Sequence, residues 1–118
     1  MKLAFPVLCA AVALTPLTAA AHHGWSGQDN AKVTALEGTI QSVSYRNPHG
    51  QIEITATDKQ RWQVTLAPIQ RMQSRGLTEA DLKVGQTVRI EGHRSLDQGR
   101  REVKANAITI AGKTTALR

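Results

Sequence analysis

The sequence predicts a small all-β barrel of five strands, with one short helix between the third and fourth, behind a cleaved export signal. Three observations predict it. Short stretches in which apolar and polar residues alternate are separated by turn-forming residues, the period-two signature of half-buried strands. One stretch, Pro68 to Gly76, replaces that period with a three-residue spacing. The first 21 residues stand apart as an apolar run with a basic start and a small-residue end.

Lys2 is the basic start, Leu3 to Leu14 the apolar run, and Thr18-Ala19-Ala20-Ala21 the small-residue stretch expected before a signal peptidase cut. The run is shorter than the roughly 20 residues a bilayer demands, so no membrane span is expected. Export places the mature protein outside the cytoplasm, in the periplasm or beyond. The chain's one cysteine, Cys9, sits inside the discarded run behind Leu8, too early for a lipid anchor. Its loss excludes disulfides, cysteine-ligated zinc and thiol nucleophiles from the mature chain. The expected organisation is a signal peptide over 1–21, an N-terminal arm over 22–32, a barrel domain over 33–111 and a C-terminal tail over 112–118.

From Val33 to Tyr45 the apolar positions fall first on even numbers (Leu36, Ile40) and then on odd ones (Val43, Tyr45). A long first strand with a bulge or coil switches its inward face in this way. Asn47-Pro48-His49-Gly50 supplies turn chemistry. Ile52, Ile54 and Ala56, then Trp62, Val64 and Leu66, make the second and third strands, joined by a hairpin loop at Asp58-Lys59-Gln60. Pro68 starts the helix, Ile69 and Met72 share its inner face, and Gly76 ends it. Thr78 and Asp81 then suit a capped turn clamped by Leu77 and Leu82. Val88 and Ile90 mark a fourth strand. The fifth runs from Arg101 to about Ile110 and changes parity between Val103 and Ile108.

This is the strand order of an OB-fold barrel, which binds ligands on one face flanked by the loops after its first and fourth strands. His49 is expected in the first of those loops. His93, in Gly92-His93-Arg94, is expected at the start of the other. Three motifs stand out: His22-His23-Gly24-Trp25 directly after the cleavage site, Asn47-Pro48-His49, and the stretch from Val88 to Gly92-His93. In these the chain resembles a family of small secreted bacterial proteins of unknown function, and the resemblance covers nearly all of the mature chain. It implies an exported OB-like domain but no particular activity.

The sharpest functional signal is that all four histidines, His22, His23, His49 and His93, fall in places this topology can bring together. Cleavage after Ala21 makes His22 the first residue, so that its α-amine and ring nitrogen offer themselves to one ion, with His49 or His93 supplying a third nitrogen. Tetragonal nitrogen ligation suits Cu(II), which heads the affinity order of divalent first-row metals. The α-amine has a reference pKa of about 7.7 to 8.0, so a metal displaces its proton near neutral pH. Cleavage after Ala20 or Ala19 instead puts His22 second or third and His23 third or fourth. A histidine third from a free amine still surrounds Cu(II) or Ni(II) with nitrogens, without His49 and His93. Met72 faces inward, which argues against a Cu(I)-preferring thioether site.

Each histidine also has a plainer role: His22 and His23 as a solvated chain end, His49 as a turn residue, His93 as the close of a strand. A metal-independent module for oligosaccharide, peptide or an exported protein partner is the competing function, with Arg46, Arg61, Arg89 and Arg94 as contacts. The formal charge of +6 is spread along the chain, and aromatics are only 3% of it, which leaves little for stacking on bases. Export also removes nucleic acid as an expected partner. There is no Gly-x-Ser-x-Gly elbow, phosphate loop or His-Glu-x-x-His helix, so no enzyme is expected. Copper-dependent oxidation would be open to a terminal-histidine site, but no residue points to it.

Overall fold

The computed structural model describes residues 27–118. The strands are β1 (Thr34–Ser44), β2 (Gln51–Ala56), β3 (Arg61–Thr65), β4 (Thr87–Arg94), β5 (Glu102–Ile110) and β6 (Lys113–Ala116). Helix α1 (Ile69–Ser74) and a 3₁₀ turn (Glu79–Asp81) lie between β3 and β4. β1 pairs with both β2 and β4, β2 with β3, and β4 with β5, all antiparallel. A parallel pairing of Gln63–Thr65 with Glu102–Lys104 joins β3 to β5 and closes the five-stranded barrel.

Both expected parity switches are bulges. The β1–β2 register shifts between Ile40 and Ser42, which turns the inward face from even to odd positions. Against β5, the register shifts between Glu91 and Gly92, whose partners are Ala107 and Ala105, leaving Asn106 as the extra residue. The inward positions fill the barrel with Ile40, Ile52, Ile54, Val64, Val88, Ile90, Val103 and Ile108, all buried. Trp62 is buried among them, and its indole N–H donates to Asp58 Oδ2 at 3.4 Å across the β2–β3 hairpin loop.

The helix has the expected bounds. Pro68 precedes it with φ −55°, and Gly76 follows it at φ +80°, where a residue without Cβ meets no steric penalty. Met72, on its inner face, is fully buried over one end of the barrel. Gly50 closes the Asn-Pro-His-Gly turn against this plug, because a Cβ there would run into the Met72 side chain. In the 3₁₀ turn, the Thr78 backbone N–H and hydroxyl donate to Asp81 Oδ2 at 2.8 and 3.0 Å, and Leu77 and Leu82 on either side are buried. The Tyr45 hydroxyl donates to the Leu77 carbonyl at 2.8 Å, tying the end of β1 to this cap.

The segment expected as a tail is largely structured. Ala111 and Gly112, with φ of 49° and 79°, make a tight turn, and β6 pairs back onto β5. Leu117 is buried, and its N–H donates to the Asn106 carbonyl at 2.7 Å. Lys113-Thr114-Thr115-Ala116 carries no bulky apolar alternation, so this strand depends on its partner and on the one leucine that follows it.

At Gly92 a Cβ would collide with the Lys104 backbone carbonyl beside the bulge, whereas at Gly27 nothing lies within 4 Å. Gly92→Ala is expected to destabilise the domain by about 1–3 kcal/mol in urea titration, and Gly27→Ala to leave the midpoint nearly unchanged. The Thr78 N–H and hydroxyl, aided by Lys113 and Lys83, hold the Asp81 carboxyl below its ordinary value of 3.8. A depressed folded-state pKa gives stability that is present above the unfolded value and lost as pH falls through the folded one. Asp81→Asn should therefore lower the melting temperature at neutral pH and shrink the stability difference from wild type below about pH 4.

Candidate functional site around His93

His93 is not a loop residue. It is the seventh of the eight residues of β4, only 6% exposed, and its side chain points away from the barrel interior because Gly92 takes the inward position beside the bulge. What buries it is the N-terminal arm. Asp29 N–H donates to the Arg94 carbonyl at 2.8 Å, Leu96 N–H to the Gly27 carbonyl at 3.0 Å, and Gln28 bridges Ser95 in antiparallel fashion. Asp29 also accepts from the Ala31 N–H through its side chain at 3.2 Å, curling the arm into a turn.

The imidazole holds this turn. Its Nδ1 lies 2.9 Å from the Asp29 carbonyl and 3.0 Å from the Lys32 carbonyl. Carbonyls only accept, so Nδ1 carries the proton and is shared between them. In that tautomer Nε2 has the lone pair, and it accepts from the Asn106 side-chain amide at 3.0 Å. Asn106 in turn accepts from Arg118 Nη1 at 3.4 Å through its carbonyl. The bulge in β5 is what presents Asn106 to the ring. The parity switch between Val103 and Ile108 marks that bulge in the sequence, yet nothing in the sequence ties Asn106 to His93.

His49 sits in the loop between β1 and β2, as expected, and is exposed. It borders a cleft with Thr65, Arg71 and Lys104. Registers connect the two histidines: His93 is opposite Lys104, Lys104 opposite Thr65, and Thr65 opposite Gln51, which follows His49-Gly50. Lys104 thus stands between His93 and the cleft of His49. Neighbouring strands are about 4.8 Å apart, so two spacings separate the backbones at His93 and Thr65. Among the described residues no group of three or more His, Cys, Asp or Glu side chains is placed to hold a metal ion. His22, His23 and Trp25 lie outside the described residues.

The arginines proposed as ligand contacts divide. Arg94 stacks its guanidinium over the Trp62 ring, 4.9 Å from the centroid, and donates to the Gln98 carbonyl at 3.1 Å. That is a lid on the barrel interior. Arg89 lies 3.5 Å from both Glu37 and Glu91 in exposed pairs that contribute little to stability. Arg46 and Arg61 are exposed. The outer face of β2 and β3 carries Gln51, Glu53, Thr55, Arg61, Gln63 and Thr65 and no aromatic side chain. Gln63 donates to Gln51 at 3.1 Å and Ser42 to Glu53 at 3.2 Å, so this face is a polar network rather than a stacking platform. No helix among the described residues is long and apolar enough to cross a membrane.

Comparison with known proteins agrees with this architecture. The model of DUF6152, a family of unknown function, matches residues 8–104. Among solved structures, a chain of the S. pombe Stn1–Ten1 complex is similar at 13% identity and a TM-score of 0.54. The match covers 69% of this chain and 59% of that one, so this chain spans less than two-thirds of its neighbour. At that identity the likeness shows the OB-like fold alone. No curated protein matches.

An asparagine side chain can replace the Nδ1 donor of histidine but not its Nε2. His93→Asn is therefore expected to keep slow hydrogen exchange at the Asp29 and Leu96 amides, while His93→Leu speeds exchange at both by about tenfold or more. Equal protection in all three proteins would show that the ring does not hold the arm.

Proposed function

The chain belongs to the DUF6152 family, whose function is unknown, and we propose from its residues that it is an exported β-barrel protein that binds Cu(II). The mature terminal amine and imidazole of His22 are the primary donors, with further nitrogens from His23, His93 and His49. The single observation that carries this reading is the pinned arm. Asp29 is hydrogen-bonded to Arg94 at the end of β4 and to the His93 ring, and Gly27 to Leu96 two residues beyond the strand. From Gly27 the chain reaches His22 in five residues, at most about 18 Å when extended, so export would leave a terminal histidine tethered within reach of the His93 ring.

The chemistry of His93 supports the same role. Metal-bound histidines commonly donate their other ring nitrogen to a carbonyl, which fixes the tautomer and the ring plane. Here two carbonyls take the Nδ1 proton, and an ion would bind Nε2 only by displacing the Asn106 amide that occupies it. His49 is the outer member of the set. The Lys104 and Arg71 side chains that share its cleft oppose a cation, so it adds least. The role is one of binding or buffering copper, with no catalytic step assigned.

A metal-independent module for oligosaccharide, peptide or a protein partner is the second reading, supported by the polar face of β2 and β3. Titration of the protein beginning at His22 with Cu(II) separates the two. One-to-one binding with nitrogen hyperfine structure in the electron paramagnetic resonance spectrum is expected. His22→Ala, or one residue added ahead of His22, should weaken binding more than about tenfold, and His93→Asn by a smaller factor. Absence of stoichiometric binding would sink the copper reading in favour of the module.

A further inference from the structure

The end of the barrel opposite His93 holds a second candidate site. Gln86 immediately precedes β4 and His93 lies near its end, so about seven residues of strand, roughly 23 Å, separate them. Between the 3₁₀ turn and the β5–β6 hairpin is a cavity of about 300 Å³. That volume is at the lower end of the range for small-molecule sites. Its lining combines three kinds of group. Leu77, Ala80 and Ile110 are apolar, Lys83 and Lys113 are cationic, and Gln86 is a polar amide.

Two observations distinguish this cavity from an ordinary surface dimple. The Gln86 side-chain carbonyl oxygen is buried and has no hydrogen-bond partner among the described residues, a costly condition for an acceptor and one that rotation of the amide toward a donor in the cavity would relieve. The cavity wall also carries two cations, Lys83 and Lys113, against one acid, Asp81. Asp81 borders the cavity, but its Oδ2 already accepts two hydrogen bonds from Thr78. Neither lysine forms a salt bridge among the described residues, where Arg89 and Arg100 supply the cations of every ion pair. Both lysines favour the ionised Asp81 carboxyl, Lys113 more strongly, so the lining as a whole keeps one net positive charge.

We propose that this cavity binds a small amphipathic carboxylate that also carries an N–H donor. Its acid group would lie on Lys113 and Lys83, its apolar body against Leu77, Ala80 and Ile110, and its N–H on the Gln86 carbonyl. Each part of the ligand answers one part of the lining. The cation pair selects an anion, the apolar wall selects a hydrocarbon body of a few carbons, and the orphaned acceptor selects a donor over a plain fatty acid. An N-acylated apolar amino acid has this combination. The site is independent of copper, since it lies at the far end of β4 from His93 and uses no histidine.

Two-dimensional amide NMR with N-acetyl-L-leucine as probe, and N-acetyl-L-leucinamide as its uncharged control, tests the proposal. Saturable shifts at Leu77, Gln86, Ile110 and Lys113 are expected, with a roughly millimolar Kd that suits so small a ligand. The control amide should bind about tenfold more weakly or worse, and Lys113→Gln should weaken the acid by a similar factor. Lys113 is exposed, so that variant is expected to keep its fold, which the rest of its spectrum will show. Absence of saturable shifts at these amides, equal binding of acid and amide, or indifference to Lys113→Gln would each overturn it.

Discussion

The short parallel ladder between β3 and β5 is the constraint on which the rest of the molecule depends. Only three residue pairs make it, Gln63–Glu102, Val64–Val103 and Thr65–Lys104, yet it converts a curved sheet into a closed barrel. Closure removes two strand edges from solvent and lets inward residues of all five strands meet in one core. Val64 and Val103 sit at its middle and are both buried. The outer residues of the same ladder, Thr65 and Lys104, are the link in the row that runs from His93 toward His49. Core and surface row are therefore two faces of one set of hydrogen bonds.

Closure demands strong bending, and the two bulges supply it at different places with different consequences. The β1 bulge only transfers the strand's inward face from even to odd positions, keeping Ile40 in the core and Val43 packed against it. The β5 bulge does more. It exposes Asn106 to the outer side, where its amide meets His93 and its backbone carbonyl receives Leu117. It also brings the β5 backbone so close to Gly92 that no side chain fits there. One irregularity thus explains the Gly-His pair and anchors the C-terminal strand, and it satisfies one nitrogen of the ring that holds the N-terminal arm.

The charge distribution places different chemistry at different ends. Around His93 the polar groups are saturated by backbone carbonyls and an amide, a rigid arrangement suited to fixing a ring plane. Around the 3₁₀ turn, a tight box between Thr78 and Asp81 fixes one carboxylate beside the two lysines that border the cavity. The copper site and the carboxylate site proposed for these two ends require no communication between them.

How much of this was legible in the sequence follows from how local each signal is. Strand alternation, the Pro68-to-Gly76 helix, the Thr78–Asp81 cap and both parity switches are set by neighbours within a few residues, and each appears in the structure at its expected place. The strand over 113–116 was not legible, because its side chains lack alternation and its order comes from β5 and from burial of Leu117. The same holds for the candidate site. The sequence by itself put the histidines in three places, the N-terminal arm, one loop and the end of the fourth strand, of a five-stranded barrel. Only the tertiary structure decided that His93 is buried under the arm, that Asn106 takes its second nitrogen, and that Lys104 stands between it and the cleft of His49. Those relations cross from 11 to 64 positions of chain, and pairings at such distances depend on sheet register, which a single bulge resets.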